Sequence, residues 1–143
     1  MEIKNIDRLN RKLMKLPKVN FLRVMKEVVG DVQSTSKLLS PVDTGTLRNS
    51  LHTRVRDGRD KIVGDVFTNL NYAVYVEFGT GQRGSGSGGT SPYIDVSYNS
   101  QWAGMVAQPY LYPAITQERS NILRKFSDEL NEYNKKVAGG TNV

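Results

Sequence analysis

The chain of 143 residues suits a single domain, and its 38% hydrophobic content supports one modest core. It has no cysteine, which excludes a disulfide framework, a thiolate nucleophile and every cysteine-based metal site. The formal charge of +6 gathers in the first 60 residues, where 13 Lys and Arg face 7 Asp and Glu. Such a surplus fits a solvated basic helix face, or contact with nucleic acid or an acidic protein.

Ile3, Ile6, Leu9, Leu13 and Leu16 recur at spacings of three and four, the stripe of an amphipathic helix that Pro17 ends or kinks. The charges interleaved with them leave no apolar run of the kind a secretory signal needs. Asn20 is placed to cap a second helix, carried by Phe21, Val24, Met25, Val28, Val29 and Val32. Gly30 weakens that helix, and Ser40-Pro41 closes it, because the residue before proline avoids the α region. Asp43-Thr44-Gly45-Thr46 reads as a turn, with Asp43 expected to cap a short helical turn through Ser50. Leu51, Thr53 and Val55 alternate with polar residues, and residues 61–68 are β-branched and apolar. With Asp57-Gly58 between them they predict an antiparallel hairpin.

Residues 69–78 fit either period; a short helix over residues 71–77, followed by Gly79, is favoured. Residues 81–91 are dominated by Gly and Ser and are expected to open a flexible insertion reaching residue 106. Residues 93–98 are a candidate strand. Trp102, Met105 and Val106 are expected to pack on the core or on a neighbouring subunit. Residues 108–113 read as extended, and Pro113 suits the first position of a last helix. Its stripe is Ile115, Ile122, Leu123, Phe126, Leu130, Tyr133 and Val137, ended by Gly139-Gly140, with a frayed tail over residues 139–143. No stretch approaches the roughly 18 apolar residues of a membrane span. The expected fold is one α+β domain, with an antiparallel sheet of about four strands flanked by N-terminal helices and a C-terminal helix.

Catalytic chemistry finds little support. His52 is the only histidine, and no nucleophile elbow accompanies it. Asp43 and Glu77 are expected to be a turn cap and the partner of a basic residue, rather than paired acid–base groups. The glycines of residues 81–89 lack the Lys of a phosphate-binding loop. The aromatic residues between Tyr72 and Tyr112 lie where Lys and Arg are scarce, so packing and interface roles are preferred over base stacking. Tyr93, Tyr98 and Trp102 are the candidate interface residues. No cofactor, metal site or membrane contact is expected.

Three segments in order carry a resemblance. The first contains Pro41, Asp43, Thr44, Gly45, Leu47, Arg48 and Ser50. The second contains Tyr72, Ala73, Glu77, Gly79 and Thr80. The third contains Gln108, Pro109, Tyr110, Pro113 and Ala114. Together they resemble the HK97 gp10-like family of tailed-phage proteins, with its patterns P-x-D-T-G-x-L-R-x-S, Y-A-x-x-V-E-x-G-T and Q-P-[FY]-L-x-P-A. The likeness runs roughly from Phe21 to Lys136. It implies a virion structural protein of the head–tail joining, neck or tail-completion class, similar in fold to tail-terminator subunits, forming a ring with copies of itself. It implies contacts with neck, connector and tail proteins, assembly in the host cytoplasm, and non-specific DNA contact in the lumen as a secondary feature. It brings no catalytic residues. Residues 82–106 depart from the pattern by being long. Arg48 is expected to pair with Glu77 or Asp43. The competing readings are a small basic nucleic-acid-binding domain and a small hydrolase that would gather His52 with Asp43 or Glu77.

Overall fold

The structure, a computed structural model, describes residues 18–43, 45–87 and 91–139. The helix expected over residues 3–16 lies outside the described residues, as does Thr44.

Helix α1, Lys18–Leu39, starts before Asn20, so Asn20 lies inside it rather than capping it. Val24, Val28 and Val32 repeat every four residues and are buried together with Val29, which gives the helix its inward face. The hydroxyl of Ser40 donates to the Lys37 carbonyl, and Pro41 follows as the stop. Gly45 then takes a left-handed conformation with φ 72° and occupies the capping position of the short helix α2, Thr46–Asn49. The expected Asp43 cap is therefore not the one used. A residue without Cβ turns the chain there, and no side chain caps the helix.

Strands β1, His52–Asp57, and β2, Ile62–Phe67, pair antiparallel from His52↔Phe67 to Asp57↔Ile62. Residues 58–61 form the turn, with the Gly58 N–H donating to the Lys61 carbonyl at 2.9 Å. Gly64 lies directly under α1: a Cβ there would collide with Val29 and stand 2.7 Å from the Met25 sulfur. Its missing side chain lets the helix sit close on β2.

Helix α3, Ala73–Phe78, resolves the ambiguous stretch in favour of a helix, and Gly79 follows at φ 71°. Helix α4 is Gly81–Ser85. The long helix α5, Tyr112–Ala138, begins one residue before Pro113. It runs antiparallel to α1. Phe21 stacks on Phe126 at a centroid distance of 6.1 Å, and Asp31 bonds Lys125 at 2.6 Å. At the other end Thr35 donates to Glu118 at 2.6 Å. Of the expected α5 stripe, Ile122, Phe126, Leu130 and Tyr133 are half-buried, while Ile115, Leu123 and Val137 are exposed. Leu47, Leu51, Ala73 and Tyr110 form the core cluster, with Leu39, Leu70, Val76 and Leu111 packed on it.

The class is α+β, but the sheet among the described residues has two strands, not about four. Residues 93–98 form no strand, and the returning chain contributes only the isolated bridge Thr80↔Met105. In this stretch side chains hold the chain instead of a ladder: Tyr98 donates its hydroxyl to the Phe78 carbonyl at 2.9 Å.

Candidate assembly surface and the Glu77 clasp

The middle of the molecule is organised by one carboxylate. Glu77 points inward from α3 and is 5% exposed. It accepts the Tyr110 N–H at 2.8 Å, the Leu111 N–H at 3.0 Å and the Tyr112 N–H at 3.0 Å. These donors stand at the start of α5, where backbone N–H groups have no partner within the helix. A negative charge is favoured there by the helix dipole. Pro113 follows with no N–H of its own, so one orphan donor fewer remains. Glu77 thus caps a helix that begins more than thirty residues later.

The same joint is closed from both sides. The Gln108 N–H donates to the Val76 carbonyl at 2.8 Å, and the Tyr110 hydroxyl to the Ala73 carbonyl at 3.2 Å. Tyr110 is fully buried. Burial, with the Glu77 charge as a second cause and Tyr72 as a third, pushes its hydroxyl up to about 12. Next to it the insertion is pinned. Thr80 and Met105 exchange backbone bonds of 2.8 and 3.0 Å, and the Gln82 and Arg83 N–H groups donate to the Trp102 and Ala103 carbonyls. Gly81 and Gly104, both at positive φ, let these strands of chain cross in contact. Residues 81–85, read from composition as flexible loop, are a short helix whose Gly81 and Gly84 are buried.

The motif residues divide by what they touch. Leu47, Ala73 and Tyr110 are core; Glu77 is the clasp; Gly45 and Gly79 turn the chain. Pro41 is half-buried, whereas Asp43, Tyr72 and Gln108 are exposed. Thr80 carries the bridge to Met105, and Pro109 leads into the clasp. Among the described residues no ion pair joins Arg48 to Glu77 or Asp43, and the Arg48 Nε is buried without a hydrogen-bond partner. The expected Arg48 brace is replaced by backbone donors, which occupy the Glu77 oxygens. Sequence reading missed this role because the cap and its helix are far apart in the chain. The signal was a Glu ahead of Gly79-Thr80 and a Gln-Pro-Tyr run ahead of a helix-starting proline.

His52 is exposed on β1 and lies against Phe67, with ring centroids 5.9 Å apart. No hydrogen bond among the described residues connects it to Asp43 or Glu77, and no group of three His, Cys, Asp or Glu there could hold a metal. No helix among the described residues is long and apolar enough to cross a membrane.

The open surface is apolar and aromatic. A cleft of about 450 Å³ lies between α3 and the returning insertion, edged by Tyr75, Ile94, Tyr98 and Trp102. Tyr75 is 55% and Trp102 56% exposed, and the neighbouring Tyr93 is 89% exposed. Tyr98 is half-buried and tied to Phe78, so of the three candidate interface residues Tyr93 and Trp102 are the open ones.

Glu77, the one buried carboxylate among the described residues, is spent on backbone N–H groups, and the aromatic cleft beside α3 is open to solvent. The family model of the HK97-gp10-like proteins, described as "Bacteriophage HK97-gp10, putative tail-component", matches residues 6–79, and the chain belongs to that family. The matched span holds the first motif segment and the second as far as Gly79; Thr80 and the third segment lie beyond it, and Glu77 joins the second segment to the third. No curated protein and no solved structure matches the chain.

Proposed function

We propose that the chain is a structural subunit of a ring at the neck or the completed end of a phage tail. It joins or terminates the tail at the capsid connector through protein–protein contacts, and is not an enzyme. The observation that carries this reading is the exposed cleft of Tyr75, Ile94 and Trp102 on a member of a tail-component family. Ring closure needs one heterologous contact repeated around an axis, and an open aromatic patch opposite a different surface suits such a contact. A likeness to tail-terminator subunits, a place in the virion neck or tail, and assembly in the host cytoplasm belong to the same proposal.

DNA passing the lumen is a secondary feature. On the hairpin Arg54 and Arg56 share the one Asp65 carboxylate, at 3.2 and 3.0 Å, which offsets part of their positive charge.

Mass measurement of the chain with neck and tail partners, followed by electron microscopy, tests the proposal. Closed rings are expected. The Tyr75→Ser, Trp102→Ser double variant is expected to lose assembly while melting at nearly the same temperature, since both side chains are more than half exposed. A compact monomer that never assembles with those partners overturns it.

A further inference from the structure

Arg48 belongs to the first motif segment, yet the fold gives it no partner. It follows Leu47 on α2, and Leu47 is part of the core. The Arg48 Nε is buried without a hydrogen-bond partner. Its terminal nitrogens are not among the buried atoms and bond nothing among the described residues. The root of the guanidinium is thus held in the protein while its fork stays reachable. Such a fork takes a carboxylate through two parallel hydrogen bonds.

The corner around Arg48 is apolar. Leu39 at the end of α1 packs on the cluster that contains Leu47, so α1 and α2 adjoin there. Beside it Leu38 is 78% exposed, and Val42, in the link to α2, is 57% exposed. Exposed apolar residues are ordinary when scattered singly; here two share a corner with an unpaired cation. Lys37 and Asp43 form no ion pair among the described residues either, so the corner holds two cations against one carboxylate.

The aromatic cleft has the reverse character. Of its lining residues only Asp95 is charged. Asp95 is exposed and has no hydrogen bond or ion pair among the described residues. It lies beside Ile94 in a wall shared with Trp102. The cleft therefore offers a lone carboxylate in an apolar wall, and the corner an unpaired guanidinium beside apolar side chains. No residue is common to the two surfaces. A heterologous contact needs two different, matching patches on one chain, and a closed ring uses both on every copy.

We propose that the occupant of the cleft is a second copy of this chain. Arg48 of one copy pairs with Asp95 of the next, and Leu38 and Val42 pack against Ile94 and Trp102. The inference rests on the ring reading and names the second surface that its contact uses. A charge pair set among apolar neighbours fixes the register of the contact and rejects wrong partners.

The test is a charge exchange, read as closed rings by mass measurement and electron microscopy of the chain with its neck and tail partners. Arg48→Glu and Asp95→Lys are each expected to lower the assembled fraction roughly ten-fold or more. The variant carrying both is expected to recover to within about three-fold of the unaltered chain. Full assembly of either single variant, or no recovery in the double variant, overturns the pairing and leaves the ring reading standing. If the unaltered chain forms no ring, both fall. Leu38→Asp reads the corner without touching the half-buried Arg48, and it is expected to melt like the unaltered chain but not to assemble. Unchanged assembly of Leu38→Asp also overturns the proposal.

Discussion

Three backbone N–H groups converge on Glu77, and their loss is felt all at once. In the Glu77→Ala variant the start of α5 keeps three donors turned into a buried site without an acceptor. Hydrogen bonds to a charged group contribute about 1.5–3 kcal/mol each, and unsatisfied buried donors add to the loss. The expected destabilisation is roughly 3 kcal/mol or more by chemical denaturation, and smaller for Glu77→Gln, whose single carbonyl oxygen can still accept. Tyr110 gives a pH signature. Its hydroxyl ionises near 10.0 when unfolded and near about 12 in the fold. Its contribution is therefore complete below pH 10 and is lost as pH rises from 10 through about 12. Tyr110→Phe is expected to flatten that alkaline limb of the melting curve, at a cost of about 1 kcal/mol at neutral pH for the bond to Ala73. At this scale the sequence was legible where a residue answers to its neighbours, as at Gly79, and silent where it answers to remote ones. Arg48 and Glu77 look like an ion pair in the chain; in space the carboxylate is already engaged.

Among the elements, α1 is the one whose sequence speaks most clearly. Its valines at four-residue spacing predict the buried face, and Ser40-Pro41 predicts the end. Gly30 is the exception inside it. A Cβ at Gly30 would meet nothing within 4 Å, so Gly30→Ala is expected to stabilise the domain by about 1 kcal/mol. Where α1 meets α5, the hydrogen bond from Lys125 is the largest cause holding the Asp31 carboxyl below its ordinary value of 3.8; Asn121 and the Lys125 and Arg124 charges also lower it, and desolvation opposes them. The stability this brings is present above pH 3.8 and fades as pH falls through the lower folded value. Asp31→Asn is expected to make the acid side of the melting profile less steep. The hairpin was legible from alternation and Asp57-Gly58, while no further strand forms among the described residues. Residues 93–98 have strand-like side chains, but no neighbouring edge is paired with them, and pairing is what makes a strand. Composition misled most at residues 81–85. Gly and Ser suggest a loose loop, yet here glycine serves close approach of backbones.

For the whole molecule, fold class and family were within reach of the sequence, because three spaced segments each mark a turn, a clasp or a helix start. Their physical relation was not. The clasp joins the second segment to the third across the insertion, so motifs separated in the chain form one joint. The open cleft was invisible for a different reason: exposure of a tyrosine or tryptophan depends on what packs above it, which periodicity does not report. Changes at Tyr75 and Trp102, both more than half exposed, should act on assembly while leaving the melting temperature nearly unchanged.

The pinned insertion has one more consequence. Ser87 accepts the Ala107 N–H at 2.9 Å, and Tyr98 grips Phe78, so the chain departs and returns at two fixed posts. Closure of the chain between them is set by the posts, and doubling such a stretch raises its closure cost by only about 0.6 kcal/mol. A short insertion between Ser87 and Tyr98 is expected to leave melting nearly unchanged, whereas loss of Ile94 would remove an edge of the cleft.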